Sequence, residues 1–150
     1  NIRTGKTDMG KIELDGALQS FLNGFPYLVT HFGATLVMLA LGAFIYVRVT
    51  PHDEMKLIRE GNQAAAISFG AALLGLAIPL SVSMANSVNL FDIVIWGLVT
   101  LAIQILTFRV IDAWLKDLSE RIENGETAAA IFLASVKLSV AAVNAAAVSG

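Results

Sequence analysis

Apolar and polar residues fall in blocks along this chain instead of alternating. Four apolar blocks run Leu28–Val47, Ala64–Ala85, Phe91–Phe108 and Ala128–Val148. Each approaches the roughly 20 residues that cross about 30 Å of hydrocarbon at 1.5 Å of rise per residue. A soluble four-helix bundle would keep one polar face per helix, and these blocks are apolar all round. The pattern predicts an all-α integral membrane four-helix bundle. Ahead of it, Leu14, Leu18, Phe21, Leu22 and Phe25 recur at helical spacing, with Glu13, Asp15, Gln19 and Asn23 on other faces. That spacing predicts an amphipathic interfacial helix over residues 11–25, its Leu14, Leu18 and Phe21 in the headgroup region. Gly24 and Pro26 are expected to break that helix and turn the chain into the bilayer.

The connections carry a second pattern. Glu60–Ile67 (EGNQAAAI) returns as Asn124–Ile131 (NGETAAAI), and Arg48-Val49 and Arg109-Val110 each close a span before a charged stretch. Each half reads as span, surface helix, Gly, Ala-rich span, which predicts a duplicated two-span unit in parallel orientation. The expected organisation is a tail and interfacial helix over 1–25, then a four-span domain over 26–150 with halves 26–85 and 90–150. Thr50-Pro51-His52-Asp53 reads as a capping box for the first surface helix. Gly61 and Gly125 suit helix C-termini, with Asn62 and Thr127 capping the spans that follow. Trp114, Leu115, Leu118 and Ile122 form the apolar stripe of the second surface helix, with Trp114 in the interface.

Composition supports the membrane assignment: 56% of residues are hydrophobic and 15% charged, with a mean hydropathy of +0.71. A net charge of −2 leaves no basic face for nucleic acid, and the absence of Cys removes disulfides and thiolate metal sites. No signal-peptide pattern precedes the first block, so that block is expected to act as the insertion signal. Lys and Arg counted near span ends set orientation. Arg48, Lys56, Arg59, Arg109, Lys116 and Arg121 sit in connections 48–62 and 109–126, and the middle connection has none. Both charged connections are therefore expected in the cytoplasm and both termini outside.

The stretch Arg48–Ala66 (RVTPHDEMKLIREGNQAAA), between FLNGFPYLVTHF and GAALLGLAIPL, resembles the YjfL-like family of four-span bacterial inner-membrane proteins. The resemblance runs from about Phe21 to Asn144. It implies a multi-pass location in the bacterial inner membrane and a duplicated two-span unit. It implies no reaction.

Few residues carry candidate chemistry. Lys137 lies near the middle of the fourth span, where an ammonium costs about 2.5–3.5 kcal/mol and must face protein or water. Thr100 and Gln104 reach a similar depth, and Ser135 and Ser139 flank it, so these five are the candidate intramembrane polar contacts. No carboxylate is expected at that depth, which weighs against a proton path. Ser81, Ser83, Asn86, Ser87, Asn89 and Asp92 gather at the turn between spans two and three, as turn caps or as a polar vestibule. His31 reads as a hydrogen-bonded interface residue near the outer surface, and His52-Asp53-Glu54 points three ways and makes a poor metal site. Ala66 with Gly70, Ala71 with Gly75, Ala130 with Ala134, and Ala141 with Ala145 form small-residue rows that let helices approach closely. Spans two and four are expected inside, with Phe32, Phe44, Tyr46, Trp96 and Phe108 of spans one and three facing lipid or neighbouring subunits.

These features predict a non-enzymatic scaffold or accessory subunit without cofactor, surrounded by lipid and associating with itself or with other membrane subunits. The alternative is a small oligomeric channel or transporter with Lys137 lining or gating the path.

Overall fold

The computed structural model describes the backbone of residues 2–50 and 53–150 and the side chains from Met9 onward. Six helices follow in order: α1 (Ile2–Val49), α2 (Glu54–Arg59), α3 (Gln63–Asn86), α4 (Leu90–Trp114), α5 (Lys116–Glu123) and α6 (Thr127–Ser149). Four stretches are long and apolar enough to cross a membrane: Met9–Val49, Gln63–Asn86, Leu90–Trp114 and Thr127–Ser149. The chain divides into two compact units, residues 1–33 and 34–150.

In the first unit the helix runs through Gly24 and Pro26 without the expected break. A proline removes one helical donor, and within a long apolar helix that loss is tolerated. Thr30 Oγ1 donates to the Pro26 carbonyl at 2.9 Å, and His31 Nδ1 meets the Tyr27 carbonyl at 2.9 Å with its ring stacked on Tyr27. Leu14, Leu18 and Phe21 are exposed.

In the second unit α3 and α6 share the most extensive contact, and α4 packs against both. Small residues fill the packed faces of these helices: Ala64, Ala65, Ala71, Ala72 and Gly75 on α3, and Ala130, Ala134, Ala141 and Ala145 on α6, are all buried. Ala66 lies exposed and Gly70 half-buried. The packed face of α3 is thus rotated from the Ala66–Gly70 row, because the alanine triplet supplies small residues on several faces. At Gly75 a Cβ would stand 2.6 Å from Phe108 Cζ; the missing side chain is what admits the ring. Met38, Gly42 and Tyr46 of α1, and Thr50 just past its end, recur every four residues and are all buried. Tyr46 and Phe108 correct the lipid-facing expectation, since both are buried core residues, whereas Phe44 and Trp96 are exposed. Aromatic bulk fills a core as readily as it faces lipid, and composition alone does not separate the two.

The turns are defined by hydrogen bonds. Gly61 has φ +87° and Gly125 φ +82°, a conformation open to glycine at little steric cost. At the first, Gly61 N–H donates to Ile58 O and Asn62 N–H to Leu57 O; at the second, Gly125 N–H donates to Ile122 O and Glu126 N–H to Arg121 O. Both are Schellman closures. Asn62 Oδ1 caps α3 through Ala65 N–H, while its Nδ2 donates to the Ile122 and Glu123 carbonyls at 3.1 and 3.0 Å. One side chain therefore ends α5 and starts α3. Two caps differ from expectation. Pro51 and His52 of the proposed capping box lie outside the described residues, Thr50 Oγ1 donates back to Tyr46 O, and the N-cap of α2 is Asp53, which accepts from Lys56 N–H. Glu126, not Thr127, precedes α6, and it pairs with Arg121 instead of capping the helix by its side chain.

Candidate functional site

The buried ionisable groups of the second unit gather around one ammonium. Lys137 is the eleventh residue of α6, roughly 15 Å along the helix from its first residue. Helical side chains lean toward the N-terminus of their helix, so this one reaches down to the end of the bundle that carries α2 and α5. There its Nζ lies 2.9 Å from Asp112 Oδ1 on α4, with Lys137 1% and Asp112 5% exposed along their side chains. The same ammonium donates to the Tyr46 hydroxyl at 2.9 Å, and that hydroxyl donates to Glu54 Oε1 at 3.3 Å. The Tyr46 and Phe108 ring centroids stand 5.1 and 5.3 Å from the cation, near enough for the ring quadrupoles to stabilise it. Glu54 itself is buried.

Asp112, Lys137, Tyr46 and Glu54 thus form a chain from α4 through α6 and α1 to α2. An isolated charge in such surroundings would lose several kilocalories per mole of hydration, and pairing offsets that cost. Two carboxylates and one ammonium thus share a single buried cluster.

Lys137 makes this pairing and not a contact with Gln104, the candidate at similar depth. Gln104 accepts instead from Asn144 Nδ2 at 2.9 Å, and Asn144 also reaches the Thr100 carbonyl at 3.4 Å. These three form a separate buried group, higher along α4 and α6. Phe108 lies one turn from Gln104 and one turn from Asp112 on the same row of α4, and it divides the two groups. Ser135 and Ser139 are exposed and donate to the Ile131 and Ser135 carbonyls of their own helix. Trp114 is exposed. Beyond Thr100 and Asn144, toward the α3–α4 turn, opens a cavity of about 460 Å³ lined by Ser83, Asn86, Ser87, Asp92 and Trp96 among others. Ser81 bonds to Ile78 O, and Asn89 caps α4 through Asp92 N–H. Among the described residues no group of three or more His, Asp or Glu converges on a metal-sized site.

Asp112, Tyr46 and Glu54 are not among the polar contacts that the sequence singles out. The apolar block ends at Phe108, which puts Asp112 in a surface connection, while the helix continues to Trp114. The row Gln104–Phe108–Asp112, at spacings of four, was the available signal. The row Met38–Gly42–Tyr46 was another. No comparable signal marks Glu54.

The comparisons agree with this architecture. The model of a family described as Domain of Unknown Function (DUF350) matches residues 20–148. The UPF0719 inner membrane protein YjfL of Escherichia coli strain K12 is 39% identical over 116 residues, covering 77% of this chain and 88% of that protein. The protein of the same name from Escherichia coli O157:H7 matches equally. No solved structure matches.

Proposed function

The chain belongs to the DUF350 family of multi-pass inner-membrane proteins, and on that premise we propose that it is a non-enzymatic proton relay, a small channel or transporter. The observation that carries this reading is the buried chain Asp112–Lys137–Tyr46–Glu54. Buried carboxylates beside a lysine supply the second titratable group that a relay requires. In the transfer step, Lys137 passes a proton to the Tyr46 oxygen as the hydroxyl proton moves to Glu54. Lysine is left neutral, tyrosine unchanged and Glu54 protonated. Asp112 stabilises the ammonium that is restored when a proton arrives from the Thr100–Gln104–Asn144 side. Phe108 stands between the two groups as the barrier, passed when water enters.

The six basic residues of the 48–62 and 109–126 connections support a cytoplasmic position for α2 and α5, with both termini outside. Protons would then enter from the α3–α4 turn and leave beside Glu54. The matched Schellman closures at Gly61 and Gly125 support a duplicated two-span unit. An assembly role draws less support, because the small residues that suggested it pack largely between α3 and α6 of one chain.

The test is proton flux into lipid vesicles holding the purified full chain and a trapped pH dye, driven by a potassium diffusion potential. Potential-dependent acidification above protein-free vesicles is expected. Folded protein without such flux overturns the relay.

A further inference from the structure

The cavity at the α3–α4 turn has features that a proton path does not need. Its lining carries one charged side chain, the Asp92 carboxylate, and no basic side chain lines it. Between Gly61 and Arg109, Asp92 is the sole charged residue of the sequence. The Trp96 indole lies one helical turn from it on the same wall. A carboxylate beside an aromatic ring recognises organic cations, by charge and by the ring quadrupole. Deeper in, Ser83 Oγ and Thr100 Oγ1 are buried without a hydrogen-bond partner among the described residues, although both residues line the cavity. Buried hydroxyls in that state are costly and mark a place where a polar group is received. The volume of about 460 Å³ is within the range of small-molecule sites.

We infer that this cavity binds a short organic ammonium ion carrying a second hydrogen-bonding group at its far end. Asp92, Trp96 and Thr100 follow one another at spacings of four on α4, so carboxylate and hydroxyl levels differ by about 12 Å of helix rise. Subtracting two hydrogen bonds of about 2.8 Å each leaves roughly 6 Å between the polar ends of the ligand. A four-carbon amino alcohol has that length. The ammonium sits against Asp92 and Trp96, the chain lies along Val99, and the hydroxyl meets Thr100.

The site is tested apart from proton flux. In the full chain carrying Trp114→Phe, Trp96 is the remaining tryptophan and reports occupancy by its fluorescence. Titration in detergent uses 4-amino-1-butanol, n-butylammonium, 1-butanol and sodium chloride at constant ionic strength. A saturable change is expected with both amines and with neither control, the amino alcohol binding about fivefold tighter for its extra hydrogen bond. Asp92→Asn should weaken both amines by about tenfold or more, and Thr100→Val should abolish the difference between them. Circular dichroism and elution volume establish that each variant is folded. The inference is overturned if no amine saturates, if sodium or butanol gives the same change, or if folded Asp92→Asn binds like the parent. A preference that survives Thr100→Val overturns it too. Binding without flux retains this site and removes the relay; flux without binding does the reverse.

Discussion

Lys137 on α6 and Asp112 on α4 pair at 2.9 Å with both side chains buried, although hydropathy alone puts one in mid-membrane and the other in a surface loop. The length and tilt of the lysine side chain close that gap. Removing one member strands the other as an uncompensated charge. Lys137→Met should therefore destabilise the fold by about 3–5 kcal/mol, and Lys137→Met with Asp112→Leu should recover much of that loss. Unfolding in mixed micelles, followed by circular dichroism, measures both.

Gly75 on α3 packs directly against the Phe108 ring of α4, a Cβ at Gly75 falling 2.6 Å from it. Gly75→Ala should cost about 1–3 kcal/mol through overpacking. Phe108→Leu in the same chain should restore part of it, and the thermal midpoint of each variant gives the comparison. If Phe108 is the barrier between the polar groups, Phe108→Ala should raise proton leak even while lowering stability.

How much of this was legible in the sequence depended on how local each feature is. The four spans, Gly61 and Gly125 at helix ends and the Asn62 cap rest on composition or on residues within one turn, and they could be read directly. The second role of Asn62, donating to carbonyls sixty residues away, depends on how the helices meet. Tyr46 and Phe108 sit at the ends of apolar blocks, where hydropathy assigns a depth but no facing, and Asp112 lies just past such an end, where hydropathy misses the helix's continuation. Pro26 was read as a break by the rule for short soluble helices, which a long apolar helix does not follow.

Asn62 offers a test of that second role. Asn62→Ala should lose both the α3 cap and the tie to α5, costing about 1–2 kcal/mol. Asn62→Asp keeps the cap oxygen, loses the two donors and should lie between. Amide exchange near Asn124 should quicken in both variants, and unchanged exchange would remove the tie from the fold's support.

At the second turn Arg121 hydrogen-bonds Glu126 and holds its carboxyl below the ordinary carboxylate value of 4.5. A depressed folded-state pKa contributes stability at neutral pH, present above the unfolded value and lost as pH falls through the folded one. Amide exchange in the α5–α6 turn, corrected for intrinsic rates, should therefore lose protection on acidification below about pH 4.5. Glu126→Gln should lack that component.

The most direct test of the relay is Tyr46→Phe, which removes one oxygen while keeping the ring against Phe108 and the Lys137–Asp112 pair. In vesicles of matched protein content, potential-driven proton flux should fall by about tenfold or more, with the fold intact by circular dichroism. Wild-type flux in a folded Tyr46→Phe chain would show that protons do not pass from Lys137 to Glu54 through this hydroxyl.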